Sequence, residues 1–332
     1  MGRTAIVTGA TGHLGAAVVR ALLRDEWHVR AVGPEPVDRD VPGLRGLDVE
    51  RVQADVRSVD EVTEAFVGGD AAFNLAGRIS IAARDPLVGP INVGGAANVV
   101  DACRAAEVPR LVHVSSIHAL SHLDEHRPGE ERRPTDGRRE APYDRSKARG
   151  EAIVRDAAAN DVDAVVVNPT GIIGPYDHGP SMLGLTLLDV WRERLPAVVP
   201  GGFSWVDVRD VAAGILAAEA RGVRGERYVL AGTWTTVREL VDRAAAVGDV
   251  AAPRIVLPMI VARVAAAFAE PFNRRTGRSH RFTASSLDAL ERYRTIDHQR
   301  ASEVLGYRPR PLAETLADTH AWFIEAGMLE PR

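Results

Sequence analysis

The sequence predicts an α/β fold: a doubly wound parallel sheet with a smaller, mostly helical C-terminal region. Three observations predict it. Short apolar runs alternate with amphipathic stretches through the first half of the chain. Few hairpin signals separate them, so successive strands need long crossovers and pair in parallel. A glycine-rich turn stands between the first apolar run and the first amphipathic stretch.

The strands are expected at Thr4–Thr8, His28–Val32, Val49–Ala54, Ala71–Leu75, Arg110–Val114 and Asp163–Asn168. The helices between them are expected at Leu14–Arg24, Val59–Val67, Ile91–Ala106 and Tyr143–Asn160. Right-handed crossovers would cover both faces of such a sheet. Any ligand would then sit beyond the carboxyl ends of the strands, at the point where strand order reverses. After Asn168 the pattern changes. Pro169 to Pro175 reads as a loop, 181–194 as helical, and Trp205–Asp210 as a lead into a helix at Val211–Arg221. Arg227–Leu230 reads as a further strand, and from about 236 helices and loops dominate. Leu257–Phe272 contains Arg263 and Glu270 and is too short to span a bilayer, so it reads as an amphipathic or buried helix. Ser121–Glu140 holds six acids and five arginines. It reads as a solvated loop, or as a lid if it covers a site.

The glycine turn is the first chemical signal. Gly9, Thr11, Gly12, His13, Leu14 and Gly15 follow the first strand and open the first helix. Glycines three apart let a pyrophosphate approach bare backbone, and the helix N-terminus supplies unpaired N–H groups. This is a Rossmann-type signature for NAD or NADP. The choice between the two stays open: Gly33 stands where an acid for the ribose is usual, while Glu35 and Arg30 remain within reach. Asp55, with Val56 beside it, is placed to meet the adenine, or to cap the helix near Ser58. Leu75, Ala76 and Gly77 end the fourth strand and should line the cofactor. Asn92 would hold backbone or water nearby, or be a helix-surface amide. Residues 1–170 therefore read as the nucleotide-binding domain, with 204–231 returning to it. Residues 171–203 and 232–332 read as the substrate-binding domain.

Composition narrows the function. The net charge of -4 gives no electrostatic footing for nucleic acid or an anionic membrane. The single cysteine, Cys103, supports neither an intrachain disulfide nor a metal framework, and a reducing, cytoplasmic setting is expected. No secretory segment is expected ahead of the first strand-like run. The partner expected is a small molecule.

Of 41 basic residues only one is lysine, Lys147. A lone lysine among arginines suggests a place where guanidinium cannot replace ammonium. Tyr143 stands four residues before it, so on a helix phenol and ammonium share one face. An adjacent ammonium is expected to lower the phenol's pKa and make it a proton shuttle. Val114, Ser115 and Ser116 end the fifth strand at the sheet edge, where Ser116 is the preferred donor to a substrate carbonyl. His13 and His118 stand close to these motifs, for substrate contact or for packing.

Together the motifs TGATGHLG (8–15), NLAG (74–77), INVGGAANVVDA (91–102), VSS (114–116), YDRSK (143–147), NPTGIIGP (168–175), WVDVRDVA (205–212) and LGYRPRPLAETLADTHAWF (305–323) cover nearly the whole chain. The chain resembles the extended short-chain dehydrogenase/reductase family of NAD-dependent epimerase/dehydratase type. It is most similar to dihydroflavonol-reductase-like and 3β-hydroxysteroid-dehydrogenase-like members. The resemblance implies Ser116, Tyr143 and Lys147 as the catalytic set. It implies Pro169, Thr170, Gly171 and Ile172 along the nicotinamide, and a homodimer through the helices near 91–106 and 143–160. Members that dehydrate nucleotide sugars carry an Asp-Glu pair where this chain has Ile117 and His118, so 4,6-dehydration is not expected.

The leading functional reading is ketone–alcohol oxidoreduction on an apolar molecule. The alternative is a nucleotide-sugar epimerase with tightly held NAD, using Arg274, Arg275, Arg278 or Arg281 for the diphosphate. A non-catalytic dinucleotide sensor is the third, disfavoured by the presence of both Tyr143 and Lys147.

Overall fold

The computed structural model describes residues 2–80, 85–124, 129–135, 137, 140–266, 284–292 and 296–331. Six strands and four helices alternate as expected: β1 (Thr4–Thr8), α1 (His13–Arg24), β2 (His28–Gly33), β3 (Glu50–Gln53), α2 (Val59–Phe66), β4 (Ala71–Asn74), α3 (Gly95–Ala105), β5 (Leu111–Val114), α4 (Pro142–Asn160) and β6 (Ala164–Pro169). There follow β7 (Gly171–Ile173), α5 (Met182–Trp191), β8 (Gly202–Asp207), α6 (Val208–Arg221), β9 (Arg227–Leu230), β10 (Thr233–Thr236) and α7 (Val237–Val247). Further helices span Ala284–Glu291, Gln299–Leu305 and Leu312–Glu325.

The large sheet has seven strands in the order β3-β2-β1-β4-β5-β6-β9, each paired in parallel with its neighbours. Its order reverses between β1 and β4, which places a ligand crevice beyond Thr8 and Asn74. The central strands β1, β4, β5 and β6 are largely apolar because both of their faces are buried. Along β6, Val165 and Val167 pack on the side of α1 and α6, while Ala164 and Val166 pack on the side of α2, α3 and α4. A smaller sheet, β10-β8-β7, carries a third core with Trp191 of α5, Leu240 of α7 and Phe323.

Four elements depart from the sequence reading. Residues 169–175, read as a loop, contain the strand β7, whose Gly171–Ile173 pair in parallel with Trp205–Asp207 of β8. Helix α6 begins at Val208, three residues early, because Asp207 caps it by accepting from Arg209 N at 2.8 Å. The third helical stretch opens with a π-turn at Pro90–Gly94, a wider turn that α3 then continues. The described part of 121–140 is anchored: Glu130 accepts from Val229 N at 3.1 Å, Arg132 is buried, and Leu120 bridges to Pro134. Residues 259–266 are helical, with Ala262 and Ala266 buried and Ile260, Val261 and Val264 exposed. Among the described residues no helix is long and apolar enough to cross a membrane.

Candidate active site

The glycine turn forms a cradle that side chains would fill. Gly9 has φ +70°, and a Cβ there would lie 2.8 Å from Ala76 N. A Cβ on Gly15 would lie 2.2 Å from the Gly9 carbonyl oxygen. Gly12 starts α1 with no side-chain cap and no acid in the first turn, so the helix N-terminus keeps N–H groups for an anion. Beyond β2 the Glu35 carboxylate folds back over Gly33. Its Oε1 lies 3.4 Å from Thr11 Oγ1, and its Oε2 is buried with no protein partner. Arg30 is committed elsewhere, to Glu50 and to the carbonyls of Ala65 and Val67. The bare cradle and the orphaned acid beyond it fit a dinucleotide.

A cavity of about 760 Å³ opens from this cradle across the strand ends. It brings together Gly9, Gly12, His13, Leu14, Gly15, Leu75, Gly77, Val114, Ser116, Tyr143, Lys147 and the run Pro169–Ile172. Pro142 at the first turn of α4 fixes the helix entry, and Tyr143 and Lys147 follow on its inner face. Lys147 Nζ donates to the Val114 carbonyl at 3.0 Å and faces Gly77, where a Cβ would come within 3.3 Å of it. Burial pushes the Lys147 pKa down to about 8, opposed by the negative charge of Glu151. The expected lowering of the phenol by the ammonium is not what this geometry gives. Burial pushes Tyr143 up to about 12; a hydrogen bond with the Ser116 side chain works against that, and Asp144 adds to the rise. The phenol's direct partner is the serine, while the ammonium points to a carbonyl.

Buried polar networks hold this floor in place. Asn168, at the end of β6, donates to the Ser116 carbonyl at 2.9 Å and to Glu151 Oε2 at 2.8 Å. Arg227 of β9 lies 3.1 Å from Glu151 Oε1. The edge strand thus reaches Ser116 through three buried side chains, Arg227, Glu151 and Asn168. Thr8 donates to Asn74 Oδ1 at 2.7 Å, and Asn74 meets His113 Nδ1 at 3.0 Å. Burial, aided by the charge of Lys147, pushes the His113 pKa down to about 3, which keeps it neutral.

Five candidate residues are not brought to the cavity lining. Asp55 is held by Arg57, which donates to Oδ1 from its backbone at 2.9 Å. Val56 packs against Gly95, and Ala76 N donates to Thr8 Oγ1 at 3.3 Å. Thr11 turns to Glu35. Asn92, in the π-turn, bonds the backbone of Arg78 on both its N–H and carbonyl and donates to Ser146 Oγ at 2.9 Å. Arg274, Arg275, Arg278 and Arg281 lie outside the described residues. Sequence reasoning missed Glu151, Asn168 and Arg227. A signal existed: Glu151 stands four residues after Lys147 on the same helical face, and Asn168 ends an otherwise apolar strand.

The opposite wall is apolar. Met182 and Leu183 of α5, Phe203 and Trp205 of β8, and Ala289 and Leu290 close the cavity over the candidate residues.

A Rossmann-type sheet with a glycine cradle at its switch point and buried phenol, hydroxyl and ammonium groups beyond it defines a dinucleotide-dependent enzyme. Residues 5–231 match the model of the NAD dependent epimerase/dehydratase family, and the chain belongs to that family. It is 35% identical over 329 residues to sterol demethylase protein B of Methylococcus capsulatus, covering 98% of this chain and 100% of the relative. It is 29% identical to a putative dihydroflavonol 4-reductase of Synechocystis, covering 98% and 95%. The crystal structure of gox2253 superposes with a TM-score of 0.84 at 29% identity, covering 98% of this chain and 99% of that one.

Proposed function

We propose that this chain interconverts a ketone and a secondary alcohol on an apolar small molecule, with NAD as hydride carrier. The observation that carries the reading is the meeting of Ser116, Tyr143 and Lys147 in the cavity that opens from the glycine cradle. When bound, the dinucleotide supplies or accepts the hydride. Gly9, Gly12 and Gly15 would hold its pyrophosphate, and the Glu35 carboxylate would accept from ribose hydroxyls. That carboxylate would repel a 2′-phosphate, which favours NAD over NADP.

The chain's own residues manage the proton. Ser116 Oγ donates to the substrate carbonyl and steadies the charge that develops there. Tyr143, whose pKa is raised by burial, keeps its proton at neutral pH until that oxygen takes it. Lys147, fixed by the Val114 carbonyl and facing Gly77, keeps a positive charge on the cavity floor.

The nucleotide-sugar epimerase reading needs cations for a diphosphate. Among the described residues the cavity's lysine and arginine cations are Lys147 and Arg292, and Arg292 is paired with Glu140 at 2.8 Å. An apolar substrate is supported by the Phe203–Trp205–Leu290 wall, and agrees with a relative that is a sterol demethylase protein.

The test follows nicotinamide absorbance with purified protein, NADH or NADPH, and a panel of cyclic and polycyclic ketones. Turnover with NADH preferred, and that preference lost in Glu35→Ala, is the expected result. No turnover of any ketone, together with interconversion of UDP- or dTDP-sugars by protein carrying NAD, would overturn the reading in favour of the epimerase.

A further inference from the structure

The link between β7 and α5 ties the two ends of the cavity together. His13 is the first residue of α1, so its backbone N–H is among those left without an intrahelical partner at the cradle. Its side chain leaves the helix for the link. Nε2 donates to the Pro175 carbonyl at 2.9 Å; a carbonyl only accepts, which places the ring hydrogen on that nitrogen. Gly174 and Tyr176, on either side of Pro175, have φ +141° and +72°. A tyrosine in the left-handed region persists only where its surroundings hold it. Arg20 of α1 lies over the Tyr176 ring at 4.6 Å, and it donates to the carbonyls of Ala16 and Gly43 at 3.0 and 2.7 Å. Helix α1 thus grips the link at His13 and at Arg20. The link in turn fixes the start of α5. Both oxygens of the buried Asp177 accept from Ser181 N at 2.9 Å, and Ser181 Oγ accepts from Gly184 N at 3.0 Å. Ser181, Met182 and Leu183 then line the cavity.

We propose that His13 is a positioning residue that couples the two ends: a dinucleotide at the cradle sets the place of Ser181, Met182 and Leu183 through the hydrogen bond from the imidazole to Pro175. The proposal rests on the reading of those residues as part of the substrate wall. A ligand acts on a distant segment only through a group that both engage. His13 is such a group, because its backbone belongs to the anion-binding turn and its side chain to the link. An anion at the helix N-terminus orders the turn. With the turn held, the imidazole holds the Pro175 carbonyl, and the left-handed residue that follows loses its freedom. A substrate then meets a wall already ordered and does not bear that cost again. By linkage, the substrate tightens the dinucleotide by the same factor.

The test measures hydrogen exchange of the full-length protein with and without NAD, at the backbone amides of the glycine turn and of α5. Slower exchange in the turn shows, for each variant, that the chain is folded and NAD is bound. In the wild type NAD is also expected to slow exchange at the start of α5 by at least about fivefold, the lower end of ordinary coupling. His13→Phe and His13→Leu, which lack the donor, should lose the effect at α5 and keep it in the turn. His13→Gln, whose amide can donate to the same carbonyl, should recover part of it. An effect at α5 of equal size in the wild type and the donorless variants, or none in the wild type, overturns the coupling. No slowing in the wild-type turn overturns it together with the placing of the dinucleotide. None of these outcomes depends on a ketone, so failure of every ketone in the nicotinamide assay removes the substrate reading and leaves the coupling standing.

Discussion

The floor and the wall of the cavity are built on opposite principles. The floor comes from the ends of β1, β4, β5 and β6 and the face of α4, and its groups are polar, buried and hydrogen-bonded to one another. The wall comes from α5, β8 and the helix Ala284–Glu291, and it is mostly apolar side chains in van der Waals contact. Directional bonds in a dry setting fix atoms closely but are costly to break. Apolar packing tolerates exchange of one side chain for another of similar volume. The contrast teaches that the proton chemistry and the choice of substrate are separable in this molecule.

Four substitutions break or sharpen that contrast. Tyr143→Phe removes the proton donor while keeping the ring. Turnover should fall by about 10²–10⁴-fold with dinucleotide affinity retained, measured by steady-state kinetics and titration. Unchanged turnover would mean that the floor does no chemistry. Glu151→Gln leaves Arg227 buried without its counter-charge, and stability should drop by about 3–5 kcal/mol in urea unfolding. A loss under about 1 kcal/mol would show that the network does not hold the floor.

Lys147→Met tests the buried ammonium through pH. The folded pKa is lowered to about 8 from 10.5. Below about pH 8 both folded and unfolded chains bind the proton, and the penalty is constant. Between about 8 and 10.5 the unfolded chain binds it and the folded chain does not, so wild-type stability rises with pH. The variant should therefore be more stable at pH 7 by about 3 kcal/mol, and its advantage should vanish as pH rises through that window. An advantage independent of pH would contradict the burial argument. Phe203→Ala is the mildest change: KM for an apolar ketone should rise about 3- to 10-fold while kcat barely moves. A collapse of kcat instead would show that wall and floor are coupled, with His118 on Phe203 as the evident link.

Much of the floor was legible in the chain. The bounds of β1 and β9 are those the apolar runs predict. The glycine turn and the Tyr143–Lys147 spacing depend on neighbours in sequence, and they fall where the local pattern puts them. Asp55 shows the limit of such reading. A position after β3 suggests the adenine, yet Arg57 two residues on draws the carboxylate to itself. The phenol shows another: spacing brings Tyr143 and Lys147 to one face, but their tips separate, one to Ser116 and the other to the Val114 carbonyl. Glu35 could not be decided from spacing, because its carboxylate reaches back over a glycine instead of standing at the strand end.

By itself the sequence determined the alternation of strand and helix, the cradle and the placing of phenol and ammonium on one helical face. Each depends on periodicity or on backbone freedom within a few residues. Only the tertiary structure decided that Arg227 secures Glu151, that Glu35 stands over Gly33 and that Phe203 closes on His118. Those contacts join segments brought together by sheet order and core packing, and no local pattern encodes which distant side chain will arrive.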